Sequence, residues 1–244
     1  MESSSQTIVH PRNGDCTLVI MAKAPRPGMV KTRLAQSLPL PAVIALYRCL
    51  LDDTIALAQS LGSVEVAIVC PGSDVDALAR LAGDAVRVVA QKGEGLAAGL
   101  TSAFAHFAAA GRQRIIAFNS DSPHLPASVL EGAFEALAAY DVVVGPTHDG
   151  GYYLVGARAT THPELFSGDG MGTTNALEAL LDRTRVRQLS VHFTEPCYDI
   201  DVAADLIRLA AELHLAPAMA PQTAAWLKEW EHVVAHLRPR MADL

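Results

Sequence analysis

The sequence predicts an α/β fold, a three-layer sandwich on a mostly parallel central sheet of the Rossmann-like kind, and three observations predict it. Short apolar runs alternate along the chain with longer stretches of helical spacing. The runs are apolar at consecutive positions, as strands covered on both faces are. Half of the 244 residues are hydrophobic, enough to bury a sizeable core.

The elements follow in order. Residues 1–14 are polar and read as a loose tail. "TLVIMA" at 17–22 is a buried strand. From Pro41 to Leu61, apolar residues at Val43, Ile44, Leu46, Tyr47, Leu50, Leu51 and Ile55 keep helical spacing, and Pro41 suits a first turn. "VEVAIVC" is a strand, "DVDALARLA" a helix and "VRVVAQ" a strand. "GLAAGLTSAFAHFAAAG" is helical and stops at Gly111. "RIIAFNSD" is a strand with a polar end, "PASVLEGAFEALAAY" a helix, and "DVVVGP" and "GYYLVGA" are strands. "TTNALEALLDR" is helical, "VRQLSV" and "YDIDV" are extended, and "ADLIRLAAELH" closes the alternation as a helix. "LAPAMAPQ" then interrupts, and "TAAWLKEWEHVVAHL" reads as one appended amphipathic helix. The expected organisation is a tail at 1–14, one α/β domain at 15–213 and a helical extension at 214–244. Trp226 and Trp230 at i, i+4 would pack that extension on the core or form a homodimer contact, with packing favoured.

The bulk numbers exclude several classes. A formal charge of −7 argues against a nucleic-acid backbone as partner, though not against a local cationic pocket. Cys16, Cys49, Cys70 and Cys197 lie far apart with no C-x-x-C pair, which favours reduced, mostly buried thiols in a cytoplasmic protein. The first residues hold an acid and no apolar h-region, so no signal peptide is read there, and no stretch approaches a membrane span.

Four stretches can carry chemistry. The first is "AKAPRPGMVKTRL" at 22–34, after the first strand. Lys23, Arg26, Lys31 and Arg33 lie among Pro25, Pro27 and Gly28, so a stiffened, cation-dense loop falls where Rossmann-like folds hold phosphates. It is neither a Walker A loop nor a G-x-G-x-x-G turn; the bland reading is a solvated basic loop. The second is "NSDSPHLP" at 119–126, where Asp121 at a strand end suits Mg²⁺, or caps a turn. The third is "CYDIDVAADL" at 197–206, where alternation puts Asp199 and Asp201 on one face, unless Asp201 caps the next helix. The fourth is "GPTHDGGYYLVG" at 145–156. Its two glycines and tyrosines suit close approach to a ligand, or a hairpin turn. His148 beside Asp149 suits acid–base work, or is merely exposed. H-E-x-x-H and G-x-S-x-G are absent.

In the same order, "MAKAPRPGMVKTRLA", "FNSDSPHLP", "VVVGPTHDGGYYLVG" and "YDIDVAADL" resemble a bacterial family of the nucleotide-diphospho-sugar transferase (GT-A) fold. Its members are described as glycosyltransferases associated with radical-SAM and arsenosugar or selenium gene neighbourhoods. The resemblance runs from about Leu18 to Leu213 and departs at "QKGEGLAAGL", where the family has a "QGxGDLGERM"-like segment, and at "MGTT", where it has a "WST"-like one. More distantly the chain resembles the guanylyltransferases of molybdenum-cofactor and phospholactate type, which share a cationic first loop ending in K-S/T-R-L and an Asp-x-Pro turn.

The resemblance implies a transferase acting on a nucleotide donor and a small-molecule acceptor, with Mg²⁺ or Mn²⁺ as cofactor. Asp121 with Asp199 or Asp201 would hold the metal; Lys23, Arg26, Gly28, Lys31 and Arg33 the phosphates; Gln91 the base. Asp149, Gly150, Gly151 and Tyr152 would shape the acceptor side, with Lys31, Asp121 and Asp149 at the chemistry. The cation-dense loop favours nucleotidyl transfer, whose leaving pyrophosphate needs neutralising, over glycosyl transfer from an NDP-sugar; "SDSP" lacks the D-x-D frequent in the latter. A degenerate, non-catalytic binding domain is the second alternative. On the catalytic reading, Lys31→Ala should lose orders of magnitude in activity and leave the fold intact.

Overall fold

The computed structural model describes residues 15–161, 163–168, 170 and 175–237. The expected tail at 1–14 and the "MGTT" segment lie outside them. In chain order the elements are β1 (Cys16–Met21), α1 (Leu40–Gln59), β2 (Glu65–Cys70), α2 (Val75–Ala82), β3 (Arg87–Ala90), α3 (Gly95–Ala109) and β4 (Arg114–Asn119). There follow α4 (Ala127–Ala136), β5 (Val142–Pro146), β6 (Tyr152–Arg158), α5 (Ala176–Val186), β7 (Val191–Phe193), α6 (Ala203–Leu215), α7 (Pro221–Glu229) and α8 (Glu231–Ala235).

The seven strands form one sheet in the order β3-β2-β1-β4-β6-β5-β7. Only β6 runs against its neighbours, so the expected mostly parallel sheet is present. Successive side chains leave a strand on opposite faces, and the two faces bury different helices. Leu18, Ile20, Ile68, Ile116 and Phe118 meet residues of α1, α2 and α4. Val19, Ala67, Val69 and Ala117 meet Phe104 and Phe107 of α3 and Leu180 of α5. A third cluster joins the outer side of α1 (Val43, Leu46, Leu50) to α6 and to Trp226 of α7.

The strand order positions the site. From β1 the chain moves to β2 and β3 on one side, then crosses to β4 on the other, and β1 and β4 are in register from Cys16↔Arg114 to Met21↔Asn119. The loops leaving them therefore diverge from adjacent points, which is where open α/β sheets form a crevice. Because β6 is antiparallel, its first residue, Tyr152, lies at this same edge.

Three expected elements differ. The "VRQLSV" stretch is not all extended: α5 runs on to Val186, Gln188 ends it in the left-handed region (φ 54), and only Val191–Phe193 pairs with β5. "YDIDV" is not a strand. Cys197 makes one isolated bridge with Thr147, and beyond it the Ile200 N–H donates to Asp121 O (3.3 Å), which leaves no ladder. The terminal helix breaks at Trp230 into α7 and α8, with the indoles of Trp226 and Trp230 stacked at 6.1 Å. Trp226 is buried against α1 and α6. Asp53, also buried, accepts the N–H groups of Gln222 (3.0 Å) and Thr223 (2.7 Å) and so caps α7 from the middle of α1.

Candidate functional site

The basic loop is shaped by its neighbours. The Ala24 N–H donates to Asp74 Oδ2 (2.9 Å), and Arg26 pairs with the same carboxylate (3.1 Å) and donates to Ser73 O (2.7 Å). Arg26 is thus engaged by the loop after β2, with about half its side chain open to solvent. Tyr47 of α1, buried, exchanges hydrogen bonds with the backbone N–H and carbonyl of Lys23 (both 3.2 Å) and reaches Ser120 Oγ (3.0 Å). One hydroxyl so ties the start of the loop to the end of β4. Gly28 takes φ 74, which only glycine adopts without strain, and Lys31 takes φ 49, which a lysine adopts at a cost.

The same loop sends Lys31 inward. Its side chain is 3% exposed, and its ammonium contacts the carboxylates of Asp121 and Asp201 (2.9 Å to Oδ1). The sequence aims Lys31 at phosphates; in the structure its carboxylate partners make its burial affordable. Burial by itself favours the neutral amine, but Asp121 and Asp201 outweigh it and hold the ammonium protonated well above the usual lysine range. Arg33 stands 3.6 Å from Asp201 with 62% of its side chain exposed, and its charge also helps hold Asp149 ionised.

Asp121, Asp199 and Asp201 converge, one oxygen of each lying within 4.8 Å of the others. Asp121 enters from the end of β4. The other two enter from the turn before α6, where Asp205 accepts the N–H groups of Asp201 (3.0 Å) and Val202 (2.8 Å). Asp201 is therefore not the cap: Val202 is the N-cap of α6, Asp205 reaches back to its N–H, and the Asp201 carboxylate is left to face Lys31. Ser122 Oγ donates to Tyr198 O (2.9 Å) and clamps the two segments together. Burial, then the charges of Asp121 and Asp201, push the Asp199 carboxyl up to about 6.

Three carboxylates face one ammonium here, and Asp121 Oδ1 is buried with no hydrogen-bond partner. An all-oxygen donor set with spare negative charge and an orphaned oxygen fits a hard divalent cation such as Mg²⁺ or Mn²⁺.

The remaining expected site residues line the same edge. Asp149 accepts from Thr147 Oγ1 (2.5 Å) and from the Gly151 N–H (3.2 Å), the hydrogen bond from Thr147 first among the causes that hold its carboxyl below the ordinary range. Gly150 takes φ 88 and its carbonyl accepts from Leu177 of α5 (3.1 Å). His148 is exposed, and Tyr152 packs against the core cluster that α3 and α5 share, with burial raising its phenol to about 12. Gln91 donates to Gly93 O (2.9 Å) and Gly95 O (3.3 Å). A Cβ at Gly99 would fall 2.8 Å from Gln91 Oε1, so this departure segment still seats that side chain closely. Lys23 is exposed.

Sequence reasoning missed Asp74, Tyr47 and Asp205, which hold residues expected to bind the ligand. A tyrosine on an otherwise aliphatic helix face was the one visible signal among them.

Comparison with known proteins agrees with this architecture. The model of a family described as an uncharacterized protein conserved in bacteria (DUF2064) matches residues 54–173, which include Gln91, Asp121 and the 145–156 loop but neither the basic loop nor Asp199 and Asp201. A protein of Desulfovibrio desulfuricans G20, provisionally described as a nucleotide-diphospho-sugar transferase, is 25% identical over 92% of this chain and 98% of its own, with a TM-score of 0.85. A nucleotidyl transferase from Methanothermobacter thermautotroptrophicus is 20% identical over 83% of this chain and 100% of its own (TM-score 0.59). A cytidylyltransferase from Leptospira borgpetersenii is 12% identical over 93% and 98% (TM-score 0.58). No curated protein matches the sequence. The chain has the GT-A fold of the nucleotide-diphospho-sugar transferase and nucleotidyltransferase superfamily. Among the described residues no helix is long and apolar enough to cross a membrane.

Proposed function

We propose that the protein is a metal-dependent transferase acting on a nucleotide donor, with nucleotidyl transfer from an NTP to a phosphorylated small molecule as the preferred reaction. The observation that carries this reading is the convergence of Asp121, Asp199, Asp201 and Lys31 beyond the ends of β1 and β4.

Asp121, Asp199 and Asp201 would hold Mg²⁺ or Mn²⁺, which when bound supplies neutralisation of phosphoryl charge. Lys23, Arg33 and Lys31 bind the phosphates, with Arg26 steadying the loop through Asp74 and adding charge at its outer side. Exposed backbone around Gly28 approaches the same oxygens. Gln91 and its neighbouring backbone flank the base. Asp149, Gly150, Gly151 and Tyr152 shape the acceptor side, where the turn is rigid enough to orient an acceptor oxygen for in-line attack. Rate enhancement would come chiefly from positioning and from cations placed where leaving-group charge develops.

Glycosyl transfer from an NDP-sugar is the second reading, favoured by the description and 0.85 TM-score of the Desulfovibrio desulfuricans protein. Isothermal titration with GTP, CTP, UTP, UDP-glucose and GDP-mannose, each with and without Mg²⁺, separates the readings. Metal-dependent binding of one triphosphate supports nucleotidyl transfer and names the base; preference for an NDP-sugar supports glycosyl transfer. No binding in any arm would leave a non-catalytic domain.

A further inference from the structure

We propose that Lys31 is an exchangeable internal cation: its ammonium fills the carboxylate cluster until a divalent ion enters with the donor, and it then turns outward onto the donor's phosphates. The proposal rests on the metal and nucleotide reading above and adds an order of binding to it.

The geometry carries it. The ammonium contacts two of the three carboxylates that a divalent ion would need, Asp121 and Asp201, and its stem is buried along its length. A divalent ion on those oxygens would stand within a few ångströms of the ammonium, and like charges that close repel strongly at any interior dielectric. Both cannot keep the same oxygens. Lysine alone also leaves the cluster unfinished, since Asp121 Oδ1 stays buried without a partner.

The loop is built to change. Lys31 is one of two non-glycine residues with positive φ among the described residues (φ 49), a position held only while its surroundings enforce it. Gly28, with φ 74 and open space around it, lies three residues before. Pro25 and Pro27 stiffen the chain on one side, and a short 3-10 turn at Leu34–Gln36 stiffens it on the other. The exposed Arg33, at 3.6 Å from the partly exposed Asp201, lies on the solvent side of the cluster.

Nucleotide-free protein would therefore bind divalent metal poorly, although its carboxylates are in place. The test is Mn²⁺ binding by electron paramagnetic resonance, without nucleotide, to wild type and to Lys31→Met, with circular dichroism confirming the fold. At least tenfold tighter binding by Lys31→Met supports the exchange; equal or weaker binding by the folded variant overturns it. Absence of Mn²⁺ binding by both proteins, with and without triphosphates, would instead sink the metal reading itself. Should Lys31→Met fail to fold, ¹⁵N-lysine spectra of the wild type decide. The protected Lys31 ammonium signal should vanish when Mg²⁺ and inorganic pyrophosphate are added together, and its persistence with Mg²⁺ bound overturns the proposal.

Discussion

Lys31 Nζ lies 2.9 Å from Asp201 Oδ1, an ion pair between residues 170 positions apart that closes the first loop of the chain onto the turn before α6. Because the same ammonium also holds Asp121, its removal strands a carboxylate that is only 17% exposed. Breaking a fully buried pair costs about 3–5 kcal/mol, and Asp201, at 37% exposure, can rehydrate. Lys31→Ala is thus expected to lose about 2 kcal/mol of stability as well as orders of magnitude of turnover, while still folding. Urea unfolding of Lys31→Ala, Asp121→Asn and the double variant checks this. The double variant should be less destabilised than the sum of the singles, and strict additivity would refute the coupling.

His124 gives the protein an acid-side weakness. It is buried between the Tyr198 ring (4.2 Å) and Cys197 Sγ (3.5 Å), and burial, against the raising effect of Glu212 and with the help of Arg208, lowers its pKa to about 4. The unfolded chain takes up that proton near pH 6.5, so it binds more protons than the folded state between those values. Stability from this group is fully present above pH 6.5 and falls as pH drops toward 4. From pH 7 to pH 5 the loss is about 2 kcal/mol at roughly 1.4 kcal/mol per unit. His124→Phe, which keeps a ring against Tyr198, should flatten that part of the urea-midpoint profile; an unchanged slope would show that His124 is not its source.

Much of this molecule is legible in its sequence because much of it is local. Consecutive apolar residues mark the strands, Asp121 stands where one such run ends, and the i, i+2 spacing of Asp199 and Asp201 does place both carboxylates together, though on a segment outside the sheet rather than on a strand. What escaped is non-local. Nothing near Asp53 shows that it will cap a helix 169 residues later, nor near Lys31 that its partners lie 90 and 170 residues away. Residues 198–202 alternate as a strand does, but ladder partners come from sheet order, which local pattern does not encode.

The cap at Asp53 can be tested separately from the site. Its two oxygens accept the Gln222 and Thr223 N–H groups, and the residue is 3% exposed. Asp53→Ala leaves both donors unpaired where water reaches poorly, a loss of about 2–3 kcal/mol. Asp53→Asn keeps one acceptor oxygen and should recover part of it. The variants should still bind donor at low temperature, because the bonds that Asp53 makes go to Gln222 and Thr223 and not to a candidate site residue; chemical unfolding together with hydrogen exchange of the α7 amides would show the loss concentrated there. Uniform exchange with unchanged stability would mean that α7 is anchored by Trp226 alone.

Tyr47 joins fold to site, and its hydroxyl can be removed without disturbing its ring. That hydroxyl bridges the backbone of Lys23 and Ser120 Oγ, in a side chain 3% exposed, so it fixes the distance between the cation-bearing loop and the end of β4. Tyr47→Phe deletes one donor and leaves the Lys23 backbone N–H to find another partner, for about 1–2 kcal/mol of stability. The larger effect should fall on the donor: with the loop less firmly held at its start, Lys23 and Arg33 present their charges in a broader set of positions, and binding weakens through lost preorganisation. Titration with whichever nucleotide the wild type prefers should show several-fold weaker affinity, while Mn²⁺ affinity of the Asp121, Asp199 and Asp201 cluster stays near that of the wild type. A variant with weakened metal binding and normal nucleotide binding would place Tyr47 on the carboxylate side of the crevice instead.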